Sequence, residues 1–391
     1  MITVTAARKL ILENVLQPKV ERVPLRIANG FVLSEPIFSP IDTPPFDQAA
    51  MDGYAFSFDE WDGKSDLFLN GEVQAGNYLP QNIKPNEAIR IFTGAALPPG
   101  ADTIVIQENV IKRDTRIILK DDKLYKGSNV RLQGSQTKKG DIALSEGHLL
   151  SPASISFLAG LGIDKVNVYS NPIVSIIVTG KELIKPGGAM SKGKIYESNS
   201  FGLSAVLAQM NIVPVSVEMV DDDEEKIMKA INNQLKSDII ILTGGVSVGD
   251  YDFVISSLEK CAVKTIFHKI KQKPGKPFYF GKHQRTLVFG LPGNPASVLT
   301  CFYEYVADAI NSFTKKEYFK KIMLPLANNF TKKPGLAFFL KGKTISNGVS
   351  ILENQASYLM NSFAMADCII ELEEEKEHFD KGDMVNVLMI T

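Results

Sequence analysis

The chain has 391 residues, more than one ordinary hydrophobic core holds, and this length predicts about two to four domains. Lysine and arginine together number 43 against 44 for aspartate and glutamate, which excludes a broad polyelectrolyte surface for nucleic acid or anionic membrane and makes any anion site local. Three scattered cysteines (Cys261, Cys301, Cys368) and four histidines without ligand spacing exclude a disulfide framework and a structural zinc site. Such cysteine usage fits a reducing compartment. The start, Met1-Ile-Thr-Val-Thr-Ala-Ala-Arg-Lys9, lacks the features of a signal peptide, and no apolar stretch reaches membrane-spanning length, so the cytoplasm is the expected location.

Ala6, Leu10, Ile11 and Val15 lie at helical spacing and predict an amphipathic helix over 5–17. Pro36 to Phe46 is rich in proline and reads as an extended connector. Between about residues 50 and 145 short alternating runs predict a β-rich domain, with Ala88–Thr93, Thr103–Gln107 and Arg116–Leu119 as strands. A helix is expected near Pro152–Leu161. The pattern then becomes strand, helix, strand: Ile173–Val178, Ser200–Met210, Val213–Val220, Asp223–Leu235 and Asp238–Leu242. That alternation predicts a parallel sheet with crossover helices and a ligand at the carboxyl ends of its strands. A strand at Thr286–Gly290 and a helix from Pro295 to Phe313, capped by Asn294, complete this α/β domain. Beyond Tyr318 short alternating runs predict a small terminal β-domain.

Three loops punctuated by glycine and proline follow in series: Thr243-Gly-Gly-Val-Ser-Val-Gly-Asp-Tyr-Asp252, Lys273-Pro-Gly-Lys-Pro277 and Leu291-Pro-Gly-Asn-Pro295. Glycine lets backbone approach a bound group, and a helix start after glycines presents free N–H groups to phosphate. The first loop is neither a Walker loop nor the dinucleotide fingerprint, and a tight turn without ligand accounts for it equally well. Lys269, Lys271 and Lys273 alternate onto one face of an extended strand, and the turn at Pro274-Gly275 brings Lys273 and Lys276 towards one group. A solvated edge strand is the competing reading of these lysines. Asp52, Glu182, Asp222, Asp250 and Asp252 stand beside strand ends or glycine turns, where carboxylates can hold magnesium on phosphate oxygens; each singly also suits a turn or a helix cap.

These loops, with Phe46-Asp-Gln-Ala-Ala-Met-Asp-Gly-Tyr-Ala55 and Arg90-Ile-Phe-Thr-Gly-Ala95, resemble the molybdopterin molybdenumtransferase family, which includes the C-terminal domain of gephyrin. The resemblance runs in family order from the first helix to about Phe363. It implies an α/β multidomain fold: an N-terminal helical and extended domain (1–47 and 138–170), an inserted β-domain (48–137), a molybdopterin-binding α/β domain with a parallel-type sheet (171–318) and a C-terminal β-barrel (319–391). It further implies a homodimer that inserts molybdate into adenylylated molybdopterin, with Mg2+-dependent release of AMP, and no nucleic-acid or membrane partner. By position, Asp52 and Thr93 match the catalytic residues of the inserted domain, and Glu182, Asp222 and Asp252 the acidic, metal-holding residues of the α/β site. Gly244, Gly245, Ser247 and Gly249 match the first binding loop. Lys269, Lys273 and Lys276 match the lysines for phosphate or molybdate, with Pro292, Pro295 and Ser357 beside them.

The chain departs from the family pattern at three places. Arg131-Leu-Gln-Gly-Ser-Gln136 stands where the family has an arginine-rich segment ending Gly-Glu-Asp, Lys181 precedes Glu182 in place of aspartate, and Tyr358 replaces a histidine. Gln136 and Lys181 imply a second reading, a weakened paralogue that binds the adenylylated pterin with little turnover. A gephyrin-like scaffold is the third.

Overall fold

The structure, a computed structural model, describes residues 1–246 and 253–391. The chain gathers into two units, one of Val23–Asn29 and Leu33–Val166, the other of Met1–Arg22, Gly30–Val32 and Asn167–Thr391.

Short alternating strands build the smaller unit. They are β1 (Gly53–Phe56), β2 (Leu67–Val73), β3 (Glu87–Ile91), β4 (Thr103–Ile106), β5 (Val110–Arg113) and β6 (Arg116–Leu119), in one sheet of order β4-β1-β3-β2-β6-β5. Because side chains alternate across a strand, Tyr54, Phe56, Val105 and Ile117 form one apolar cluster, and Ala55, Ile89, Ile91 and Ile104 form another. The expected helix near Pro152 is Pro152–Gly160, with Ser151 capping the Ser154 amide at 3.2 Å.

In the larger unit α1 (Val4–Asn14) is capped by Thr3 and buries Val4, Ala7 and Ile11. The α/β domain follows: β7 (Val174–Thr179), α2 (Asn199–Gln209), β8 (Ser216–Val220), α3 (Glu224–Gln234), β9 (Ile239–Thr243), α4 (Phe253–Lys260), β10 (Lys264–His268), β11 (Gln272–Lys273), β12 (Tyr279–His283) and β13 (Thr286–Leu291). The six strands other than β11 form a sheet of order β8-β7-β9-β13-β12-β10. The expectation of a parallel sheet holds for β8, β7, β9 and β13, but β12 and β10 add antiparallel pairs, so the sheet is mixed. The reason is local. Only Gln284 and Arg285 separate His283 from its partner Thr286, with Gln284 at φ 50°, and two residues make a hairpin where a crossover needs about a dozen.

The helix expected from Pro295 to Phe313 is broken into α5 (Pro295–Cys301), a π turn (Phe302–Val306) and α6 (Ala307–Thr314). Asn294 stands at the cap position but makes no side-chain cap bond. Its amide donates instead to the Ser357 hydroxyl. The terminal β-domain comprises β14 (Lys321–Pro325), β15 (Ala337–Ile345), β16 (Gly348–Ile351), β17 (Cys368–Leu372) and β18 (Met384–Met389). Its strands run β11-β15-β17-β18-β14, with β16 on β15, so β11 stitches the α/β domain to this sheet through the pairs Gln272–Ala337 and Lys273–Phe338. In addition to these ladders, Leu326, just past β14, meets Val349 of β16 in a single bridge. No helix among the described residues is long and apolar enough to cross a membrane.

Candidate functional site

Three neighbouring parallel strands of the larger unit end side by side, with Val178 of β7 opposite Thr243 of β9 and Thr243 opposite Leu291 of β13. The turns that leave them are Thr179-Gly180, Thr243-Gly244-Gly245 and Leu291-Pro292-Gly293. They floor a cavity of about 650 Å3 that also takes in Glu182, Asp222, Asn199, Pro277, Pro295 and Tyr358. Gly244 permits this convergence. At φ 89° a Cβ there would sit 2.4 Å from the Thr179 carbonyl oxygen, and a Cβ built on Gly293 would lie 3.8 Å from the Gly244 Cα.

Two carboxylates reach this cavity. Asp222 accepts the Lys181 backbone N–H at 3.1 Å. Glu182 folds back over its own turn, with Oε2 3.0 Å from the point a Gly180 Cβ would occupy. A third acid in the cavity wall, Glu197, is 5 % exposed and committed to helix α2, where it accepts the Ser200 N–H at 2.7 Å and hydroxyl at 2.6 Å. The acidic run 221–225 divides its work: Asp223 caps the Lys226 amide at 3.0 Å, and Asp221 pairs with the Lys226 ammonium. Asp222 alone of that run lines the cavity.

A second cavity, of about 360 Å3, adjoins the first and shares Pro277, Pro292 and Asn294 with it. Lys273, Lys276 and Ser357 line it. The Asn294 amide donates to the Ser357 hydroxyl at 2.9 Å, and the Ser357 carbonyl accepts the Ala296 N–H at 3.1 Å. The residue expected to cap a helix therefore seats the serine that the terminal domain brings to the site. The lysine alternation is broken. Lys269 adopts φ 72°, outside an extended strand, and lines neither cavity. Lys271 pairs with Glu374 at 2.9 Å, a bond that raises its pKa. The lysines gathered at one place are Lys273 and Lys276, with the Lys273 ammonium 5.2 Å from the Phe338 ring centroid.

Asp52 and Thr93 lie in the smaller unit and meet there. Asp52 Oδ1 accepts the Thr93 N–H at 2.8 Å and its hydroxyl at 2.7 Å. The backbone bond first, then the hydroxyl, holds this carboxyl below its ordinary range, with Arg90 adding a smaller electrostatic pull. Arg90 itself sits over the Tyr54 and Phe92 rings, 4.9 and 5.0 Å from their centroids. Ser247, Gly249, Asp250 and Asp252 lie outside the described residues. Among the described residues no group of three or more His, Cys, Asp and Glu could hold a metal ion; Glu182, Glu197 and Asp222 are the acids that line the larger cavity.

Asn199 was not foreseen. It opens α2, donates to the Gly293 carbonyl at 2.9 Å, and leaves its buried Oδ1 without a protein partner beside the cavity. The sequence signal was slight, a Ser-Asn-Ser helix start after Glu197. Burial pushes the thiol of Cys301, below the lysine loop, above its ordinary pKa, and all three cysteines are free and buried.

Residues 2–162 match the MoeA N-terminal region (domain I and II), residues 175–312 a probable molybdopterin binding domain, and residues 323–390 the MoeA C-terminal region (domain IV). The chain is 34 % identical to the molybdopterin molybdenumtransferase of Haemophilus influenzae, over 99 % of this chain and 98 % of that protein. It is 30 % identical to that of Staphylococcus epidermidis, over 99 % and 95 %. The crystal structure of the molybdopterin biosynthesis MoeA protein from Pyrococcus horikoshii superposes with a TM-score of 0.80 at 29 % identity, covering 100 % of both chains. With full-length likeness in sequence and fold, the chain belongs to the molybdopterin molybdenumtransferase family, enzymes of a late step in molybdenum cofactor biosynthesis.

Proposed function

We propose that the two adjoining cavities take the pyrophosphate end of adenylylated molybdopterin and the molybdate to be inserted, with release of AMP. The observation that carries this reading is the shared wall of Pro277, Pro292 and Asn294, which sets a carboxylate-lined cavity against a lysine-lined one. A phosphoanhydride and an oxyanion ask for a cation held by carboxylates next to positive charge. Glu182 and Asp222 are hard oxygen donors in the larger cavity and suit Mg2+, which commonly takes one or two protein carboxylates and completes its shell from phosphates and water. Bound there, the ion would supply charge neutralisation on phosphate oxygens. The chain's own residues do the rest. Lys273 and Lys276 attract and orient the oxyanion, Ser357 donates or accepts beside them, and the turn amides near Gly244 and Gly293 allow close approach of the ligand. Asn199 Oδ1 is a free acceptor for a ligand N–H.

Asp52 and Thr93 are assigned the same reaction as the smaller unit's contribution, in a homodimer. An exposed apolar row supports self-association: Val213, Val215, Val217 and Met219 alternate along edge strand β8 and its approach, with exposures of 81, 64, 51 and 39 %. The four-domain division, closure of the terminal sheet into a barrel at the Leu326–Val349 bridge, and a cytoplasmic location belong to the same proposal. Incubating the purified chain with adenylylated molybdopterin, molybdate and Mg2+ should release AMP. No release where the Haemophilus influenzae relative is active would refute it. Gln136 and Lys181 favour the binding-only reading, which the same assay separates: tight ligand binding with background turnover, and a rise in rate on restoring Asp at both positions.

A further inference from the structure

The lysine loop rests on a buried polar chain. Gln272 is 1 % exposed, and its Nε2 donates to the Pro274 carbonyl at 3.0 Å and the Gly275 carbonyl at 3.3 Å. Its Oε1 accepts the hydroxyl of Tyr305, a residue with no exposure in the π turn. The widened turn carries this hydroxyl under β11. Packing closes the space around it: at Gly275, with φ 85°, a Cβ would lie 2.4 Å from Cys301 Sγ and 2.8 Å from Gln272 Nε2.

The carbonyl directions fix the amide directions. Cis peptide bonds among the described residues are Thr43-Pro44 and Lys273-Pro274, so the Pro274-Gly275 and Gly275-Lys276 bonds are trans. In a trans peptide the N–H points opposite to the C=O. Both carbonyls point at Gln272, so the Gly275 and Lys276 N–H groups point away from it, on a loop that lines the 360 Å3 cavity. Successive N–H groups about a left-handed residue form a concavity for an anion.

We propose that Gln272, seated on Tyr305, is a positioning residue that turns the Gly275 and Lys276 amides to the cavity and so completes, with Lys273 and Lys276, an oxyanion nest. The proposal rests on the reading of this cavity as the oxyanion end of the site. A leucine or methionine at position 272 would pack there but leave both carbonyls free to rotate. Glutamine fixes them.

The test titrates molybdate and, separately, inorganic phosphate into the full chain by calorimetry at several salt concentrations. Gln272→Met should weaken both anions about tenfold, and Tyr305→Phe, which removes one hydroxyl and keeps the ring, about threefold, the size of one or two hydrogen bonds. Neither removes charge, so the salt dependence of binding should stay that of the parent, whereas Lys273→Ala and Lys276→Ala should reduce it. Should Gln272→Met fail to fold, Tyr305→Phe carries the test. Affinities within twofold of the parent in these variants overturn the positioning role, as does a salt dependence reduced in Gln272→Met to that of the lysine variants. Unchanged binding in both lysine variants instead overturns the reading of the cavity, and the nest with it.

Discussion

Gly244→Ala and Gly187→Ala together separate backbone strain from steric closure at the site. Both glycines are left-handed, at φ 89° and 87°. An alanine in that region costs on the order of 1 to 2 kcal/mol. At Gly187 nothing lies within 4 Å of the added Cβ, so that is the whole cost. At Gly244 the Cβ would stand 2.4 Å from the Thr179 carbonyl oxygen and 2.8 Å from its Oγ1. A carbon–oxygen contact settles at about 3.3 Å, so roughly 0.9 Å must be found by moving the end of β7 or the turn after β9. Relieving such overpacking costs about 1 to 3 kcal/mol more. Urea unfolding should therefore place Gly244→Ala about 2 kcal/mol below Gly187→Ala. Because the moving parts floor the larger cavity, AMP release by Gly244→Ala should fall by at least about tenfold, as displacements near 1 Å do, while Gly187→Ala keeps its rate. Equal stability losses in the two variants, or full turnover in Gly244→Ala, would refute the reasoning.

Thr93→Val removes the hydroxyl bond that helps hold Asp52 ionised, so the Asp52 pKa should move up towards the ordinary carboxylate range in an NMR pH titration. The depressed folded-state value means that any stability from this bond is present above the unfolded pKa and lost as pH falls through the folded one; an unmoved titration counts against the assignment. Glu182→Gln and Asp222→Asn should each raise the Mg2+ concentration needed for half-maximal AMP release by about tenfold, and an unchanged requirement in both would remove the metal assignment. Lys341, 4 % exposed, donates to the carbonyls of Asn354, Ala356 and Leu359 and to the Ser362 hydroxyl, beneath the loop that carries Ser357. Lys341→Met strands these acceptors and should cost about 3 kcal/mol in urea unfolding. Burial lowers the Lys341 pKa, so the unfolded chain holds that proton longer and this residue makes stability rise with pH between the folded and unfolded values; the variant should lose that rise.

How far the site could be read in advance depends on whether backbone or side-chain partners decide it. Strand ends were legible because an apolar run such as Ile239–Leu242, followed by Thr243 and two glycines, has few alternatives. The strand–helix alternation predicted a ligand at the carboxyl ends of the strands, and there Val178, Thr243 and Leu291 stand in one row beside the larger cavity. The edge of the sheet was not legible. Tyr279–His283 is a short mixed run, and its antiparallel sense was set by the two-residue turn at Gln284-Arg285, which no periodicity signals.

The lysines show the limit more sharply. Alternation at 269, 271 and 273 predicts one face only if the strand is continuous, and Lys269 at φ 72° breaks it. What selects Lys273 and Lys276 instead is Gln272, whose amide ties down the carbonyls between them, and Gln272 is held by Tyr305 from thirty-odd residues further along the chain. Asn294 follows the same rule. Its sequence position makes it a helix cap, yet its side chain is taken by Ser357, which arrives with the terminal domain. In each case a local propensity was outbid by a distant polar partner in a buried or half-buried setting, where an unmade hydrogen bond costs more than a forgone cap. Gly275→Ala therefore has no tolerant outcome comparable to Gly187→Ala: its Cβ would meet both Cys301 Sγ and Gln272 Nε2, the two groups that define the loop from below.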